Sequence, residues 1–339
     1  IMASIIGLGC DATSAYWGKY FDMPGFKKPE LYNENLLQSF PGGNTGIARH
    51  FVKKLIPDAI DGTSFEKVLF GKIAFDQLDR EDKPVRIRLN STAVNIEHAS
   101  QVNGNQQVQI TYTKNGELNQ LKAKAVVMAT GGWVNRHVLK DLPSEYHTAY
   151  GKFGHSPVLV ANVALTNWRF LERLGVSAAI WPEGFGFTCN IRRPMIVDGK
   201  SQPLHPDKPI VLTFYTPIFK PGLERKEQGA VGRAELLSTS FSDYERQIRE
   251  QMTTMFSAGG FNPAEDIAGI ILNRWGHAYV NPDLGFMFGK DGNMAPPDVI
   301  RKPYGRIAIG HSELRGHQYW SGAAGEGRRA VEALLDLHF

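Results

Sequence analysis

The stretch that most constrains the fold of this chain lies near its end, at residues 305–335. Residues 306–309 form a short apolar run of the kind that makes a buried strand. A polar loop follows at 310–316, and the sequence from Gly322 onward has helical periodicity. A helix that opens on Gly-Ala exposes backbone N–H groups, which suits a phosphate or a ring carbonyl. The residues alone are equally compatible with an ordinary βα unit closed by a glycine turn.

Length and charge exclude several classes of protein. A chain of 339 residues suggests two or three domains, or one large enzyme domain with insertions. The formal charge of +4 is spread along the chain without a basic run, so we expect no nucleic-acid partner. Cys10 and Cys189 match no metal-binding spacing. No apolar run approaches the roughly 18 residues of a transmembrane helix, so we expect no membrane span.

The first glycine-rich stretch, residues 5–12, has the GxGxxA spacing of a dinucleotide fingerprint. That motif needs a strand before it, a helix after it and an acidic residue that ends a second strand. The sequence that follows is aromatic and rich in turns, and it contains no second strand. We therefore favour a turn that leads into an aromatic helix, which packs in a core or lines a pocket.

Residues 40–55 predict another helix, with glycines at its mouth. The breaker Pro41-Gly42-Gly43 comes first, either Asn44 or Thr45 is the expected N-cap, and an apolar stripe follows. Glycines at a helix mouth let the backbone approach a ligand, but they are also common in plain tight turns.

A small antiparallel meander is predicted between residues 85 and 124. Residues 85–96 alternate as a strand pair would, 108–112 form the next strand, and a turn at Asn115-Gly116 leads into 118–124. Residues 125–130 form a continuous apolar run, typical of a strand covered on both faces. This run ends at Gly131-Gly132, which places small residues at the carboxyl edge of a sheet, where open α/β sheets bind ligands.

The region from 133 to 302 is predicted to be a mixed α+β domain that binds the substrate. Its predicted elements are a helix at 158–174, an aromatic strand pair at 181–190, a strand at 209–218 and a helix at 242–256. Ser242 is the expected N-cap of the last helix, and Glu245 completes a capping box. Residues 273–280 are aromatic and basic. Aromatic residues in this region more often belong to a core than to a ligand cage.

Taken together, residues 125–132 and 305–335 resemble the FAD-dependent amine oxidase superfamily. The Ala-Thr-Gly strand end is one shared piece, and Gly310-His311-Ser312-Glu313 followed by Gly322-Ala323 is another. The PGG helix start at 41–43 and the LNSTAV strand at 89–94 are similar to two further pieces. The resemblance implies a glutathione-reductase-like FAD domain of the α/β class, incomplete in this chain, with a mixed α+β substrate domain.

The resemblance also implies a division of the chain. Residues 1–39 and 135–302 would belong to the substrate domain, residues 40–134 to the FAD domain with its meander, and residues 303–339 would close the FAD domain. The GxGxxG unit of the superfamily should lie well before Pro41 and is absent, which implies that this chain is the carboxyl-terminal part of a longer polypeptide. We expect the amino-terminal part, as a complementing chain, to pair with the open edge of the central sheet.

At finer grain, residues 40–51, 156–175 and 316–335 resemble bacterial spermidine dehydrogenases, which carry FAD and haem. This resemblance implies oxidation of a polyamine by hydride transfer to FAD, followed by hydrolysis of the imine to 1,3-diaminopropane and 4-aminobutanal. Electrons would pass through haem to an external acceptor. The resemblance further implies a periplasmic location. The alternatives are another FAD-dependent oxidase or desaturase of the superfamily, and a non-catalytic assembly subunit.

The resemblance carries cofactor roles over to particular residues. Glu313 would bond the ribityl chain or the pyrophosphate of FAD, Ala323 would offer its N–H to the flavin ring, and the backbone of Val94 would meet the adenine. The other implied cofactor contacts are small or aromatic residues in the same segments: Gly42, Gly43, Ala129, Thr130, Gly131, Gly310, Tyr319 and Gly322.

A polyamine is a flexible multiple cation, so its pocket should combine aromatic faces with carboxylates. The catalytic candidates are Trp275, His277, Tyr279 and Trp320, and the further substrate candidates are Trp181, Glu183 and Phe185. Core packing explains most of them nearly as well. A haem iron takes His, Met, Cys or Tyr as ligand, and the histidine candidates are His155, His277, His311 and His317.

Overall fold

A computed structural model of the chain describes residues 6–21, 23, 25, 40–99, 107–192 and 194–337. Within these ranges the fold is mixed α/β, and its strands form three sheets. The strands, in chain order, are β1 (Ser91–His98), β2 (Val108–Lys114), β3 (Glu117–Ala123), β4 (Val126–Met128), β5 (Phe153–Leu165), β6 (Ala178–Ile180), β7 (Thr188–Ile191), β8 (Ile210–Pro217), β9 (Ile267–Pro282) and β10 (Ile307–Ile309).

The helices lie between and around these strands, and a short 3-10 turn at Ser312–Arg315 follows β10. The α-helices, in chain order, are α1 (Ala15–Tyr20), α2 (Gly43–Leu55), α3 (Phe65–Phe70), α4 (Gly132–Val138), α5 (Ser144–Tyr150), α6 (Arg169–Leu174), α7 (Arg225–Ser238), α8 (Phe241–Phe256), α9 (Pro263–Asp266), α10 (Pro296–Arg301) and α11 (Trp320–Leu335). None of the described helices combines the length and the apolar character of a membrane span.

The largest sheet is antiparallel, with the strand order β6-β7-β8-β5-β9. Ala161 and Val163 of β5 lie in a buried cluster with Ile248 and Met252 of α8, so one face of the sheet is covered by helices. Residues between these positions point to the opposite face, because neighbours along a strand alternate. This sheet therefore has an apolar face that forms a core and a second face that is available to a site.

A parallel pair of strands, β4 and β10, forms a separate small sheet. Val126 lies beside Ile307, and the Gly310 N–H extends the ladder by donating to Met128 O at 2.9 Å. Helix α11 packs on this pair through Ala330, which is fully buried. Because the two strands are parallel, the residues that follow each of them meet at one edge.

The predicted meander is confirmed, because β1, β2 and β3 form an antiparallel sheet in that order. The prediction of a strand pair at 85–96 is wrong, because this range contains only the first part of one strand, β1, which begins at Ser91. Asn90 has a φ of +53°, which interrupts the extended backbone. Before it, Arg86 and Arg88 both pair with Asp79, at 2.7 Å each, so this segment is fixed by ion pairs.

The helix predicted at 158–174 is also wrong. Residues 158–165 belong to the long strand β5, and the helix α6 occupies only the last part of the range. The run is apolar and rich in valine and alanine, and a short apolar run of this kind fits a strand and a buried helix equally well. The pairing of β5 with both β8 and β9 decides in favour of the strand.

Two helix starts differ from their predicted positions. Helix α8 begins after Ser240, whose hydroxyl accepts from Asp243 N–H at 3.1 Å, so the prediction of Ser242 as N-cap is wrong. Helix α2 begins after Gly42, which has a φ of +78°, rather than after Asn44 or Thr45. A left-handed backbone conformation at this position favours glycine, because glycine has no Cβ.

The remaining predictions are met in part. The strand at 209–218 is confirmed as β8, but residues 181–187 form the connection between β6 and β7 rather than strands. The stretch at 5–12 starts among residues that the structure does not describe; its described part contains a 3-10 turn at Cys10–Ala12, followed by α1. Trp17 of α1 is buried against Ile6, in agreement with an aromatic helix that packs in a core. The predicted domain boundaries stay predictions.

Candidate functional site

The amino terminus of α11 lies in an open position near the parallel pair. The helix begins at Trp320, two residues before the predicted start, with Tyr319 as an extended N-cap. The side chains of Tyr319 and Trp320 are 48% and 43% exposed. The N–H groups of Trp320, Ser321 and Gly322 belong to the first turn and have no acceptor within the helix. The amino-terminal end of α11 therefore combines backbone donors that have no acceptor within the helix with two exposed aromatic residues.

The earlier start of α11 places the Ala323 N–H inside the hydrogen-bonding pattern of the helix. Its N–H donates to Tyr319 O at 2.9 Å, in the first hydrogen bond of the helix. A donor that is already bonded inside the helix is not available to a ring carbonyl. In this structure the donors without an acceptor inside the helix are those of the three preceding residues, and the role of Ala323 stays a prediction.

Strand β9 places Tyr279 close to the amino terminus of α11. The Val280 N–H donates to Gln318 Oε1 at 2.9 Å, which ties β9 to the loop before α11. Burial raises the pKa of Tyr279, and the nearby phenols of Tyr215 and Tyr319 raise it further. Tyr279 and Tyr319 line one small cavity where the large sheet approaches the amino terminus of α11.

Trp275 lies on the same face of the sheet as Tyr279. The register places Tyr279 opposite Ser156 and Trp275 opposite Val158, and these two residues of β5 share a face. Trp275 is 58% exposed. Trp320 faces α2, where its ring is 5.7 Å from that of Phe51.

His277 lies between these residues along β9, but its ring packs in another direction. It stacks on Trp133 with an interplanar angle of 2° and 4.4 Å between ring centroids. Burial, followed by the charge of Arg233 and by His155, lowers the pKa of His277 to about 4. Its Nδ1 is buried and has no hydrogen-bond partner among the described atoms. The ring is therefore neutral near pH 7 and retains an unused polar atom.

Glu313 is fully buried, and both of its carboxylate oxygens have partners in the protein. Oε1 accepts from Gly132 N–H at 2.5 Å, and Oε2 lies 3.0 Å from His155 Nε2. In this arrangement Glu313 joins the turn after β10 to the start of α4 and to β5. The structure thus places Glu313 in the interior, where it holds protein segments together. A contact between Glu313 and FAD, as predicted, would require its carboxylate to give up one of these two protein partners.

Three of the four predicted haem ligands lie around the ring of Trp133, namely His155, His277 and His311. The ring of Trp133 is 4.9 Å from that of His155 and 6.4 Å from that of His311. Burial lowers the pKa of His311, partly offset by Glu313. The fourth, His317, stacks 5.7 Å from Tyr20. No group of three or more His, Cys, Asp or Glu residues in the described ranges is arranged to hold a metal ion.

The residues after β4 are partly exposed. Ala129 and Thr130 are accessible, and the hydroxyl of Thr130 lies 2.5 Å from Asn135 Oδ1. Gly131 is buried, because the ring of Trp133 folds back over it; an added Cβ would lie 1.9 Å from that ring. Gly310, which follows β10, is also buried, and an added Cβ would lie 3.1 Å from Ala330 in α11. Gly310 therefore permits close packing of strand and helix.

The remaining predicted cofactor contacts lie at the surface. Val94 of β1 is 40% exposed, and Gly43 is exposed at the start of α2. The Gly42 N–H donates to Met195 Sδ at 2.8 Å. Because Phe51 of α2 contacts Trp320, the structure brings α2 close to the mouth of α11.

The three further substrate candidates are not at this mouth. Trp181 is buried in the core on the helical face of the large sheet, and its Nε1 donates to Phe185 O at 3.0 Å. Phe185 packs on Tyr244 of α8, with 5.9 Å between ring centroids. Glu183 lies in the same connection between β6 and β7. The structure therefore separates this group from Trp275 and Tyr279 by the thickness of the sheet.

Trp133 was missed from the sequence, although a signal was present. A tryptophan directly after Gly131-Gly132, at the end of a buried strand, is placed by that strand at the ligand edge of the sheet. A second omission is Glu326, a buried carboxylate of α11 that binds Arg301, Arg315 and Arg329 at 3.0, 2.6 and 2.8 Å. No local pattern predicts this cluster, because its arginines come from three separate segments.

Comparison with known proteins is informative only at the level of the fold. No protein-family model matches the sequence, and no curated protein matches it. Cyclohexylamine oxidase from Brevibacterium oxydans IH-35A superposes with a TM-score of 0.50 and 14% identity, over 72% of this chain and 48% of that one. The chain shares its fold with part of this amine oxidase.

Putrescine oxidase in its wild-type form bound to putrescine gives a TM-score of 0.46 at 14% identity, over 73% of this chain and 49% of that one. The chain therefore spans about half the length of the solved structures that it matches. At these identities the likeness shows the fold alone, so activity, substrate and partners are not transferred.

Proposed function

We propose that the chain contributes to an FAD-dependent enzyme that oxidises an amine at a CH–NH bond. The observation that carries the proposal is the placement of the α11 amino terminus, whose first N–H groups have no acceptor within the helix, beside Tyr279 on the large sheet. An amine oxidase shares the fold over 72% of the chain, which supports the same class of reaction. A helix mouth of this kind favours a ring that becomes electron-rich during the reaction.

The described residues fit one side of a flavin cofactor. Tyr319, Trp320 and Val94 are exposed although they are large and apolar or aromatic, so a bound cofactor would cover surface that is now open. Ser321 and Gly322 would direct backbone N–H groups at the ring, and Ala129 and Thr130 would lie beneath the cofactor at the strand edge. FAD, when bound, supplies the acceptor for the hydride equivalent removed from the carbon next to the amine.

The aromatic face of the sheet supports an amine as substrate. Trp275 and Tyr279 offer ring faces to an alkylammonium group. The ring of His277 stacks on Trp133 and its Nδ1 is buried, so His277 stays a predicted catalytic residue without a place on this face. We propose a polyamine, with spermidine as the specific candidate and 1,3-diaminopropane and 4-aminobutanal as its products. The support for spermidine is the resemblance at residues 40–51, 156–175 and 316–335.

Haem does not fit the described histidines. His155, His277 and His311 pack around Trp133 rather than along an open surface, and His155 is held by Glu313. A haem ligand needs a free nitrogen and space for a porphyrin ring. Electron transfer to an external acceptor is a proposal that rests on resemblance, and a haem in that path would need ligands other than these histidines. A periplasmic location is a proposal that rests on the same resemblance.

We further propose that the amino-terminal part of the same polypeptide acts as a complementing partner. In the described residues the parallel sheet has two strands, so each strand has an edge without a strand partner. Val126 and Val127 of β4 are only partly buried, whereas β10 is fully buried. The edge of β4 is therefore where we expect additional strands.

The test is an absorbance spectrum of the full complex, followed by reduction of an artificial dye with spermidine. A visible flavin band and dye reduction by spermidine are expected. A complex without bound flavin would overturn the proposal. Flavin with dye reduction by a monoamine alone would retain amine oxidation and overturn the choice of spermidine. Flavin without dye reduction by any amine would favour another oxidase or a desaturase of the same fold.

A further inference from the structure

The loop before α11 and the end of β9 are joined by one hydrogen bond between a side chain and the backbone. Gln318 Oε1 accepts from Val280 N–H at 2.9 Å. Val280 is only 3% exposed, so its N–H has little access to water. A buried N–H without an acceptor costs free energy, and here the acceptor comes from Gln318. The amide of Gln318 therefore holds the loop and the strand together.

This hydrogen bond lies between the two elements of the proposed flavin site. Val280 directly follows Tyr279 in β9, and Gln318 directly precedes Tyr319, the N-cap of α11. Tyr279, Gln318 and Tyr319 also line one small cavity, with a volume of 30 Å³. A change in the Gln318 contact therefore shifts the phenol on the sheet relative to the backbone donors at the start of the helix.

A second contact of this loop is the packing of rings against α1. The ring of His317 stacks 5.7 Å from that of Tyr20 and lies 6.2 Å from that of Trp17. Pairs of rings tolerate several arrangements, whereas a hydrogen bond weakens steeply outside a narrow range of distance and angle. The hydrogen bond of Gln318 is therefore the contact that fixes the distance between the loop and β9.

The chemistry of the amide suits this role. Because the backbone of Val280 offers a donor, the oxygen of the Gln318 amide faces the strand and the nitrogen faces away. The neutral amide supplies an acceptor without placing a charge beside the proposed flavin and amine. A methionine has about the same length but lacks this acceptor, and a glutamate retains one.

We propose that Gln318 is a positioning residue for the amine oxidation, because its amide holds Tyr279 of the sheet at a fixed distance from the first turn of α11. Gln318 itself exchanges no proton and no electron. The inference rests on the proposed function, since this spacing affects the reaction only if the flavin and the amine meet between the two elements. A misplacement of about 1 Å lowers the rate of an enzymatic reaction by as much as roughly 100-fold.

Hydrogen exchange tests the contact in the chain itself, without flavin. Gln318→Met removes the acceptor, so the exchange rate of the Val280 N–H should rise at least about tenfold. Gln318→Glu retains an acceptor and should leave this N–H protected. Gln202→Met, at an exposed position far along the chain, is the matched control and should leave the exchange of Val280 unchanged.

Kinetics of the full complex test the positioning role, with an artificial dye as acceptor and with spermidine and butylamine as substrates. Gln318→Met should retain flavin and lower kcat at least about tenfold, with KM within roughly twofold of wild type, because the geometry of the reaction is disturbed and substrate binding is not. Gln318→Glu should keep kcat within about threefold of wild type, because the acceptor is retained. Gln318→Asn, whose amide is one methylene shorter, should behave like Gln318→Met and replaces it if that variant does not fold.

Several results would overturn the positioning role alone. They are unchanged exchange at Val280 in Gln318→Met, loss of flavin from that variant, and an unchanged kcat with flavin bound. An equal loss of kcat in Gln318→Glu and Gln318→Met would also overturn it, because the acceptor would then not be the cause. A wild-type complex that oxidises no amine would instead overturn the proposed function, and the positioning role with it.

Discussion

His155 Nε2 lies 3.0 Å from Glu313 Oε2, and the carboxylate of this pair is fully buried. The other oxygen of Glu313 accepts from Gly132 N–H at 2.5 Å. One side chain thus connects three parts of the fold: the turn after β10, the first residue of α4 and the long strand β5. Because these parts carry the strand edge, Trp133 and the large sheet, Glu313 determines how the candidate site is assembled.

The first prediction concerns this connection. Glu313→Gln keeps the size of the side chain but removes its charge, so the bond from Gly132 N–H and the contact with His155 become contacts between neutral groups. We expect the free energy of unfolding to fall by roughly 1.5–3 kcal/mol, the range for hydrogen bonds to charged groups. Urea denaturation measures it. Glu117→Gln, at an exposed hairpin position, is the control and should change stability by less than about 0.5 kcal/mol. An equally small effect at Glu313 would contradict the connecting role.

The second prediction concerns acid sensitivity. The pKa of His277 is about 4 in the folded chain, against about 6.5 when unfolded, and that of His311 is also lowered. The unfolded chain therefore binds more protons below pH 6.5, so stability is full above that value and falls as the pH drops toward 4. Urea midpoints measured across this range should show the decline.

A variant isolates the contribution of His277 to this decline. His277→Phe keeps a ring on Trp133 but removes the titrating group, so the decline between pH 6.5 and 4 should become shallower. His205→Gln, an exposed histidine, serves as the control. If the two variants show the same slope, the burial of His277 does not govern the response.

The third prediction concerns the close approach of Trp133 to Gly131. The φ of Gly131 is −66°, which alanine adopts freely, so any cost of Gly131→Ala comes from the ring 1.9 Å away. We expect Gly131→Ala to displace Trp133 from its stack on His277 and to lower stability by about 1–3 kcal/mol. Near-UV circular dichroism and urea denaturation measure the two effects.

A double-mutant cycle provides the control for this clash. In a Trp133→Ala background the ring is gone, so Gly131→Ala should be nearly neutral. A similar cost in both backgrounds would mean that some other neighbour of Gly131 is responsible.

The fourth prediction concerns Glu326, which is fully buried among three arginines. Burial alone would raise its pKa, but hydrogen bonds from Arg301 and Arg329 outweigh this and lower it. Glu326→Gln would leave the arginines, which are partly exposed, without their shared anion, and we expect a loss of roughly 1.5–3 kcal/mol in the free energy of unfolding. Glu332→Gln, an exposed position on the same helix, should have little effect. Equal stability of the two variants would exclude a structural role for the cluster.

The elements that could be predicted from sequence are those specified by local residues. The meander follows from alternation and from an Asn-Gly turn, in which Asn115 and Gly116 both have positive φ. The two strands of the parallel pair follow from two short apolar runs that precede glycines, but their pairing was not predicted. The prediction of a helix at 158–174 is wrong because an apolar run shows neither the period of a helix nor that of a strand. The strands that pair with β5, β8 and β9, lie about 50 and 110 residues further along the chain.

The sequence by itself determined the strand, loop and helix at 305–335 and the small residues at the strand edges, because glycine, alanine and turn residues act within a few positions. Only the tertiary structure decided what surrounds them. It placed Trp133 on His277, buried Glu313 and separated Trp181 and Phe185 from Tyr279 by a sheet. The physical reason is that burial and pairing depend on the register between distant strands, where a shift of one residue reverses the face of every side chain.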